Sequence, residues 1–184
     1  VRTVHAVDLD SDGDMDILAG AFFENGIHWW ENDGALEPAF TENIIDETLN
    51  YVTDVVAGDI DGDDDMDVIA TTSDVGYNGS GSVVWYEQRG GGRWRLHIVN
   101  DAFEYAEEVA VADMDDDGDL DIVATCERGT SWFENDGGEV PAFTENYLSE
   151  DLYLISPFVT VGDLDGDNDF DVLGVAYINY IQPF

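Results

Sequence analysis

The sequence predicts an all-β chain, a β-propeller built from about four four-stranded antiparallel blades with the last one incomplete, forming a partial or small ring. Three observations lead there. A nine-residue Asp-rich segment recurs four times without gaps, at 8–16, 59–67, 113–121 and 163–171, with starts 51, 54 and 50 residues apart. The positions flanking each copy are rich in Val, Ile and Met, and no window sustains the 3.6-residue period of an amphipathic helix. After each of the first three copies a Trp motif and then a further strand-like stretch follow in the same order, and four strands in about 50 residues is the size of a propeller blade.

Each unit reads as four strands. In the first, Val4, Ala6 and Leu9 lead into the acidic segment, and Met15, Ile17 and Leu18 lead out of it, so two strands are joined by an acidic loop. The third strand carries the Trp motif, Trp29-Trp30-Glu31-Asn32, repeated as Trp85-Tyr86-Glu87-Gln88 and Trp132-Phe133-Glu134-Asn135. Turn signals at Asn32-Asp33-Gly34, Arg89-Gly90-Gly91-Gly92 and Asn135-Asp136-Gly137 precede the fourth strand. That strand is read at Ala39-Phe40-Thr41-Glu42-Asn43-Ile44-Ile45, Trp94-Arg95-Leu96-His97-Ile98-Val99 and Ala142-Phe143-Thr144-Glu145-Asn146-Tyr147-Leu148. The chain is thus expected to be one repeat domain with blades at about 1–49, 50–101, 102–150 and, incomplete, 151–184.

Composition excludes several partners. Asp and Glu number 43 against 5 Lys and Arg, a formal charge of -38 that repels nucleic acid and anionic membrane surfaces. The 5 Trp, 8 Tyr and 9 Phe supply more burial than a disordered acidic chain carries. No apolar run approaches the length of a membrane span, and no membrane insertion is expected. The single cysteine, Cys126, allows no internal disulfide and reads as a small buried hydrophobe.

The acidic loops are candidate metal centres. Carboxylates at positions 1, 3, 5 and 9 can converge on one point, with position 7 offering its backbone carbonyl, and an all-oxygen set of this kind suits Ca2+ better than the stricter Mg2+. The expected ligands are Asp8, Asp10, Asp12 and Asp16 with Asp14; Asp59, Asp61, Asp63 and Asp67 with Asp65; Asp113, Asp115, Asp117 and Asp121 with Asp119; and Asp163, Asp165, Asp167 and Asp171 with Asp169. About four ions are expected, one per blade. An EF-hand is excluded because position 12 holds Ala19, Ala70, Ala124 and Gly174 instead of a bidentate Glu, and no flanking helix is predicted. Position 6 must turn sharply, which suits Gly13 and Gly118; Asp64 and Asn168 there predict weaker second and fourth loops, eased by Gly62 and Gly166 at position 4.

The combination Asp-x-Asp-x-Asp-Gly-x-x-Asp, apolar strand and Trp-Tyr/Phe-Glu-Asn resembles the FG-GAP/VCBS repeat family, which includes the calcium-bearing blades of integrin α-subunit propellers and some fungal propeller lectins. The resemblance covers essentially the whole chain and implies that the acidic loop joins the first two strands of a blade. It implies a calcium-stabilised extracellular or cell-surface module, secreted, that recognises a glycan or protein. A non-catalytic accessory propeller of a polysaccharide-active enzyme is the second reading, and an enzyme in its own right the third. The fourth unit ends before a Trp motif, so the arc is expected either to belong to a longer propeller or to complete itself by self-association, with a small closed four-blade ring as the competitor.

Other candidates carry less. Trp29, Trp85 and Trp132 recur at one strand position and read as blade-to-blade packing more readily than as sugar platforms, while Trp94, beside Arg93 and Arg95, is the better surface aromatic. His5, His28 and His97 lack metal-ligand spacing, and Glu31, Glu87, Glu134 and the Glu107-Glu108 pair are unremarkable among so many acids; no catalytic residue is assigned. Asn78-Gly79-Ser80 is a glycosylation sequon. The four loops hold 22 of the 43 acids, so four calcium ions would bring -38 only to about -30; the excess predicts adaptation to high salt, where screening shortens to a few ångströms.

Overall fold

The computed structural model describes residues 1–23, 26–73, 80–149 and 154–178, and all regular structure there is β-strand. The sequon residues Asn78 and Gly79, and the two ends of the fourth unit at 150–153 and 179–184, lie outside the described residues. The first sheet holds β1 (Thr3–Val7), β2 (Asp16–Gly20), β3 (Ile27–Asn32) and β4 (Phe40–Asp46) in chain order. The second holds β5 (Val52–Gly58), β6 (Asp67–Ser73), β7 (Gly81–Gln88) and β8 (Trp94–Asn100). The third holds β9 (Val109–Ala112), β10 (Asp121–Cys126), β11 (Gly129–Asn135) and β12 (Phe143–Ser149), and a two-stranded sheet pairs β13 (Leu154–Gly162) with β14 (Asp171–Ile178). Every pairing is antiparallel between consecutive strands, the meander of a propeller blade.

The acidic segments are the hairpin loops between the first two strands of each sheet. The closing pairs are Val7 with Asp16, Gly58 with Asp67, Ala112 with Asp121 and Gly162 with Asp171, so the ninth loop residue is also the first residue of the second strand. Blades then pack in chain order, β1 beside β5, β5 beside β9, and β9 beside β13. This explains the apolar patterning. The second strands β6 and β10 are buried at every residue because a blade lies on each face, and they read as nearly continuous hydrophobic runs; the outer strands β4, β8 and β12 alternate and stay largely exposed.

Two apolar clusters fill the spaces between blades. Leu9, Leu18, Ile27 and Trp29 of the first blade meet Val55, Val68, Val84 and Tyr86 of the second. Ile60, Ile69, Val83 and Trp85 of the second meet Val109, Ile122, Ala124 and Phe133 of the third, with Phe103 edge-on to Phe133 at 5.4 Å. Trp29 and Trp85 therefore pack between blades, and Cys126 is buried in the second cluster. Trp94 differs from its expected role as a surface aromatic: it packs against the first cluster, because it opens β8 at the position that faces the preceding blade. His97 stacks on Trp85 at 4.3 Å and bonds to buried Glu87 at 2.7 Å, where Arg89 also pairs at 2.6 Å.

Polar side chains fasten the blades as well. Asp46, at the end of β4, accepts hydrogen bonds from the Thr48 hydroxyl at 2.7 Å, the Leu49 amide at 3.1 Å and the Tyr86 hydroxyl of the next blade at 2.8 Å. Burial favours its neutral form, but these donors outweigh burial and lower its pKa. The inner strands β1, β5, β9 and β13 line a central cleft of about 620 Å³. There buried Asp54 accepts from the Thr3 hydroxyl at 2.6 Å and the Val109 amide at 3.1 Å, with His5 Nε2 at 3.6 Å, so one carboxylate ties three blades together. Arg2 reaches across the same cleft to pair with Glu107.

Candidate metal centres

Two left-handed residues fold each acidic loop back on itself. They fall at positions 4 and 6: Ser11 and Gly13, Gly62 and Asp64, Asp116 and Gly118, Gly166 and Asn168, with φ between 59° and 101°. Every loop therefore holds one glycine and one L-residue in this region, glycine at position 6 in loops one and three and at position 4 in loops two and four. The strain behind the expected weakness of the second and fourth loops is thus shared by all four.

This fold turns backbone amides inward onto the first carboxylate. Asp8 accepts from the amides of Asp12 and Gly13, both at 3.0 Å; Asp59 accepts from Asp63 at 3.1 Å and Asp64 at 3.0 Å; Asp113 accepts from Asp117 and Gly118, both at 3.0 Å. Asp163 accepts from Gly166 and Asn168 at 2.6 and 3.1 Å. At position 5, Asp12, Asp63, Asp117 and Asp167 each accept the amide two residues on, an Asx turn.

Position 9 anchors the loop to the blade. Asp16 takes the Leu9 amide on one oxygen at 3.1 Å and the Asn32 amide on the other at 2.8 Å. Asp67 does the same with Ile60 and Gln88, and Asp121 with Met114 and Asn135, while Asp171 takes Leu164. All three of the first set are buried. The position-7 side chains Asp14 and Asp119 lie over Gly34 and Gly137, where a Cβ would stand 2.0 and 2.1 Å from a carboxylate oxygen and turn that side chain aside, and the φ near 65° in this Asn-Asp-Gly turn favours glycine.

The result in each loop is a knot of carboxylates. Oxygens of Asp8, Asp10 and Asp16 lie within 4.8 Å of one another, as do those of Asp59, Asp61 and Asp67, of Asp113, Asp115 and Asp117, and of Asp163, Asp165 and Asp171. Among the sequence candidates, Asp12, Asp63, Asp167 and Asp121 stand in the same loops outside these tightest groups. Such crowding is electrostatically costly. Loss of water and then neighbouring Asp12 and Asp16 raise the pKa of Asp10; burial, Asp63, Glu87 and Asp59 raise that of Asp61. Asp115 and Asp121 are raised for the same reasons, and burial pushes Asp67 up to about 7 despite two amide donors. Asp61 Oδ1 is moreover buried without any hydrogen-bond partner. An all-oxygen donor set, mutual repulsion and an orphaned buried carboxylate oxygen together fit a hard cation.

A family model described as an FG-GAP-like repeat matches residues 8–70 and 113–174, each range holding two successive acidic loops and the strands between them. The chain belongs to the FG-GAP-like repeat family. No curated protein matches this FG-GAP-like chain in sequence. Among solved structures it is similar to a lectin of Agrocybe aegerita, described by its specific recognition of non-reducing terminal N-acetylglucosamine, with a TM-score of 0.63 and 20% identity. That similarity covers 94% of this chain and 46% of the lectin chain, so the FG-GAP-like chain spans about half the length of that structure.

Two further pockets of the FG-GAP-like chain occupy equivalent places between successive blades. One, of about 620 Å³, lies between the first and second blades beside Tyr51, Leu96 and Ile98. The other, of about 300 Å³, lies between the second and third, where Glu145 and Tyr147 take the places of Leu96 and Ile98. Glu145 is held by the Ser131 hydroxyl at 2.8 Å and the Asn100 amide at 3.0 Å, and Tyr147 is exposed. Sequence reading missed this pair: Glu145 and Tyr147 share β12, but Asn100 and Ser131, which hold Glu145 in the pocket, come from β8 and β11, and only the fold brings them together.

Proposed function

We propose that the chain is a calcium-stabilised extracellular binding module that recognises a glycan. The observation that carries the reading is the acidic knot repeated at one place in every blade, which supports one Ca2+ per loop held by the carboxylates at positions 1, 3, 5 and 9 and the position-7 carbonyl. Bound calcium would neutralise the crowded carboxylates and lock the hairpin between the first two strands. The chemistry is structural; recognition falls to the spaces between blades, which those hairpins hold in register.

The glycan reading is supported by the likeness to a lectin and by the pocket between the second and third blades. Tyr147 offers a ring face for the apolar side of a sugar, and the Glu145 carboxylate, kept in place by Ser131 and Asn100, accepts from sugar hydroxyls or an amide. A glycan array probed in calcium is expected to return a defined set of terminal sugars. Tyr147→Ala and Glu145→Gln should each weaken retention at least about tenfold, a loss typical of one stacking or charged contact. Retention unchanged in both variants, or an array with no binding in calcium, would remove the glycan reading.

A further inference from the structure

We infer that the glutamate of each Trp motif, Glu31, Glu87 or Glu134, is an outer carboxylate that strengthens cation binding in the loop of its own blade, and that Arg89 cancels this effect in the second blade. The inference rests on the reading that the loops take Ca2+.

The strand register carries it. In the first three blades the aspartate at loop position 9 accepts the backbone amide of the residue after this glutamate: Asn32 donates to Asp16, Gln88 to Asp67 and Asn135 to Asp121, each at 2.8 Å. The pairs Ile17 with Trp30, Val68 with Tyr86 and Ile122 with Phe133 continue one step further to set Glu31 across from Asp16, Glu87 across from Asp67 and Glu134 across from Asp121. Residues opposite one another in an antiparallel pair share a face, and like charges there repel. The glutamate charge also reaches position 3. Loss of water first and loop aspartates next raise Asp10, Asp61 and Asp115, and Glu31, Glu87 and Glu134 add to the rise, one in each blade.

The groups around the glutamate set how much of its charge remains. Glu31 Oε2 accepts from Asn43 Nδ2 at 3.2 Å, and Glu134 Oε2 from Asn146 Nδ2 at 3.1 Å. A neutral amide fixes the carboxylate without cancelling it, and among the described residues no donor meets Oε1 of either glutamate. The second blade is different. His97 stands opposite Trp85 where Asn43 stands opposite Trp29, and its Nε2 meets Glu87 Oε2 at 2.7 Å. Arg89, at the place of Asp33 and Asp136 in the other turns, brings Nε within 2.6 Å of Glu87 Oε1 and Nη2 within 3.0 Å of Oε2. Glu87 is 4% exposed, so this ion pair is little screened by salt. An uncancelled carboxylate beside the loop repels the empty site and attracts a cation within it, which favours the bound state twice over; a paired one does neither.

A calcium titration of the chelator-stripped full chain, labelled with 15N-glycine, tests this loop by loop. One glycine amide in each loop donates to the position-1 carboxylate: Gly13 to Asp8 at 3.0 Å, Gly62 to Asp59 at 2.9 Å and Gly118 to Asp113 at 3.0 Å. Glu31→Gln should raise the calcium midpoint at Gly13 about tenfold, the loss that follows removal of a group supporting a metal ligand. Screening over roughly 8 Å at physiological salt should leave the Gly62 and Gly118 midpoints within about twofold of wild type. Glu134→Gln should act in the same way on Gly118 alone, and Arg89→Gln should lower the Gly62 midpoint. The melting temperature of Glu31→Gln in chelator should not fall, because the amide oxygen still accepts from Asn43; a merely structural glutamate would lower it there and leave the midpoints alone. Midpoints that stay in place in the altered loop, or that move equally in all three, would overturn the inference while leaving calcium binding intact. Glycine resonances of the wild-type chain that do not respond to calcium at all would overturn the calcium reading, and the inference with it.

Discussion

Asp67 shows why the residues of one loop are not interchangeable. Its two oxygens hold the Ile60 and Gln88 amides at 3.1 and 2.8 Å inside the blade, and the side chain is fully buried. Asp63, exposed two positions before Asp65, accepts only the Asp65 amide at 2.9 Å, which an asparagine oxygen can do equally well. Asp67→Asn turns an NH2 group toward a backbone N–H and should cost about 1–3 kcal/mol even in chelator. Asp63→Asn should be near neutral in chelator and lower stability only in calcium; urea unfolding of both variants in both media separates the roles. At position 4, Ser11 sits at φ 59° with no glycine advantage, so Ser11→Gly should stabilise by about 0.5–1 kcal/mol, measured the same way. The Asp spacing placed the aspartates of each unit in one hairpin loop, where the tightest carboxylate group takes three of them. It could not distinguish the anchoring aspartate from those facing the loop interior, because that difference is set by amides of a strand 14 to 21 residues away.

Strand order and the acidic hairpins were legible for the same reason: apolar alternation, turn glycines and a fixed landmark recur in three units. The polar fasteners between blades were not. Asn135 ends a motif whose Trp attracts attention, yet its amide joins Ile60 to Leu120, two carbonyls 60 residues apart in the chain. Asn135→Ala leaves both buried carbonyls without this donor and should lower stability by about 2–3 kcal/mol, read from the urea midpoint. The cluster at the cleft was equally hidden, since Glu108 looks ordinary among 43 acids until β9 places it against Asp54. Burial and then Asp54 push Glu108 up to about 7, with Glu107 adding and Arg2 opposing; His5 is raised chiefly by its bond to Asp54, while Asp54 is lowered by His5, Thr3 and two amides against its burial. The signs set a window. A raised carboxyl contributes stability below its unfolded pKa near 4.5 that is lost as pH rises through about 7, and raised His5 loses its share over the upper part of the same range. Depressed Asp54 loses its share only as pH falls below about 4. With calcium saturating the loops, melting temperature should therefore fall from mildly acid to mildly alkaline pH. Glu108→Gln, which stays a donor to Asp54, should flatten that fall and gain about 1 kcal/mol on the alkaline side, a discounted figure for a half-exposed group worth about 2–4 °C.

Across the whole molecule, charge dominates. Acids outside the four loops outnumber all basic residues several-fold, and among the described residues Arg2, Arg89 and Arg128 are already paired with Glu107, Glu87 and Glu104. Self-repulsion should make stability climb with sodium chloride at fixed saturating calcium; a melting temperature that stays flat with salt would remove the high-salt reading. Four carboxylate knots in one arc concentrate the same repulsion, which a bound divalent cation in each loop would relieve. The most direct test of that claim is a calorimetric calcium titration of the chelator-stripped chain, followed by its melting temperature with and without the ion. A stoichiometry near four per chain and a rise in melting temperature equivalent to several kcal/mol, as expected for ions that bind the folded state preferentially, are the predicted result. No binding heat together with an unchanged melting temperature would contradict it.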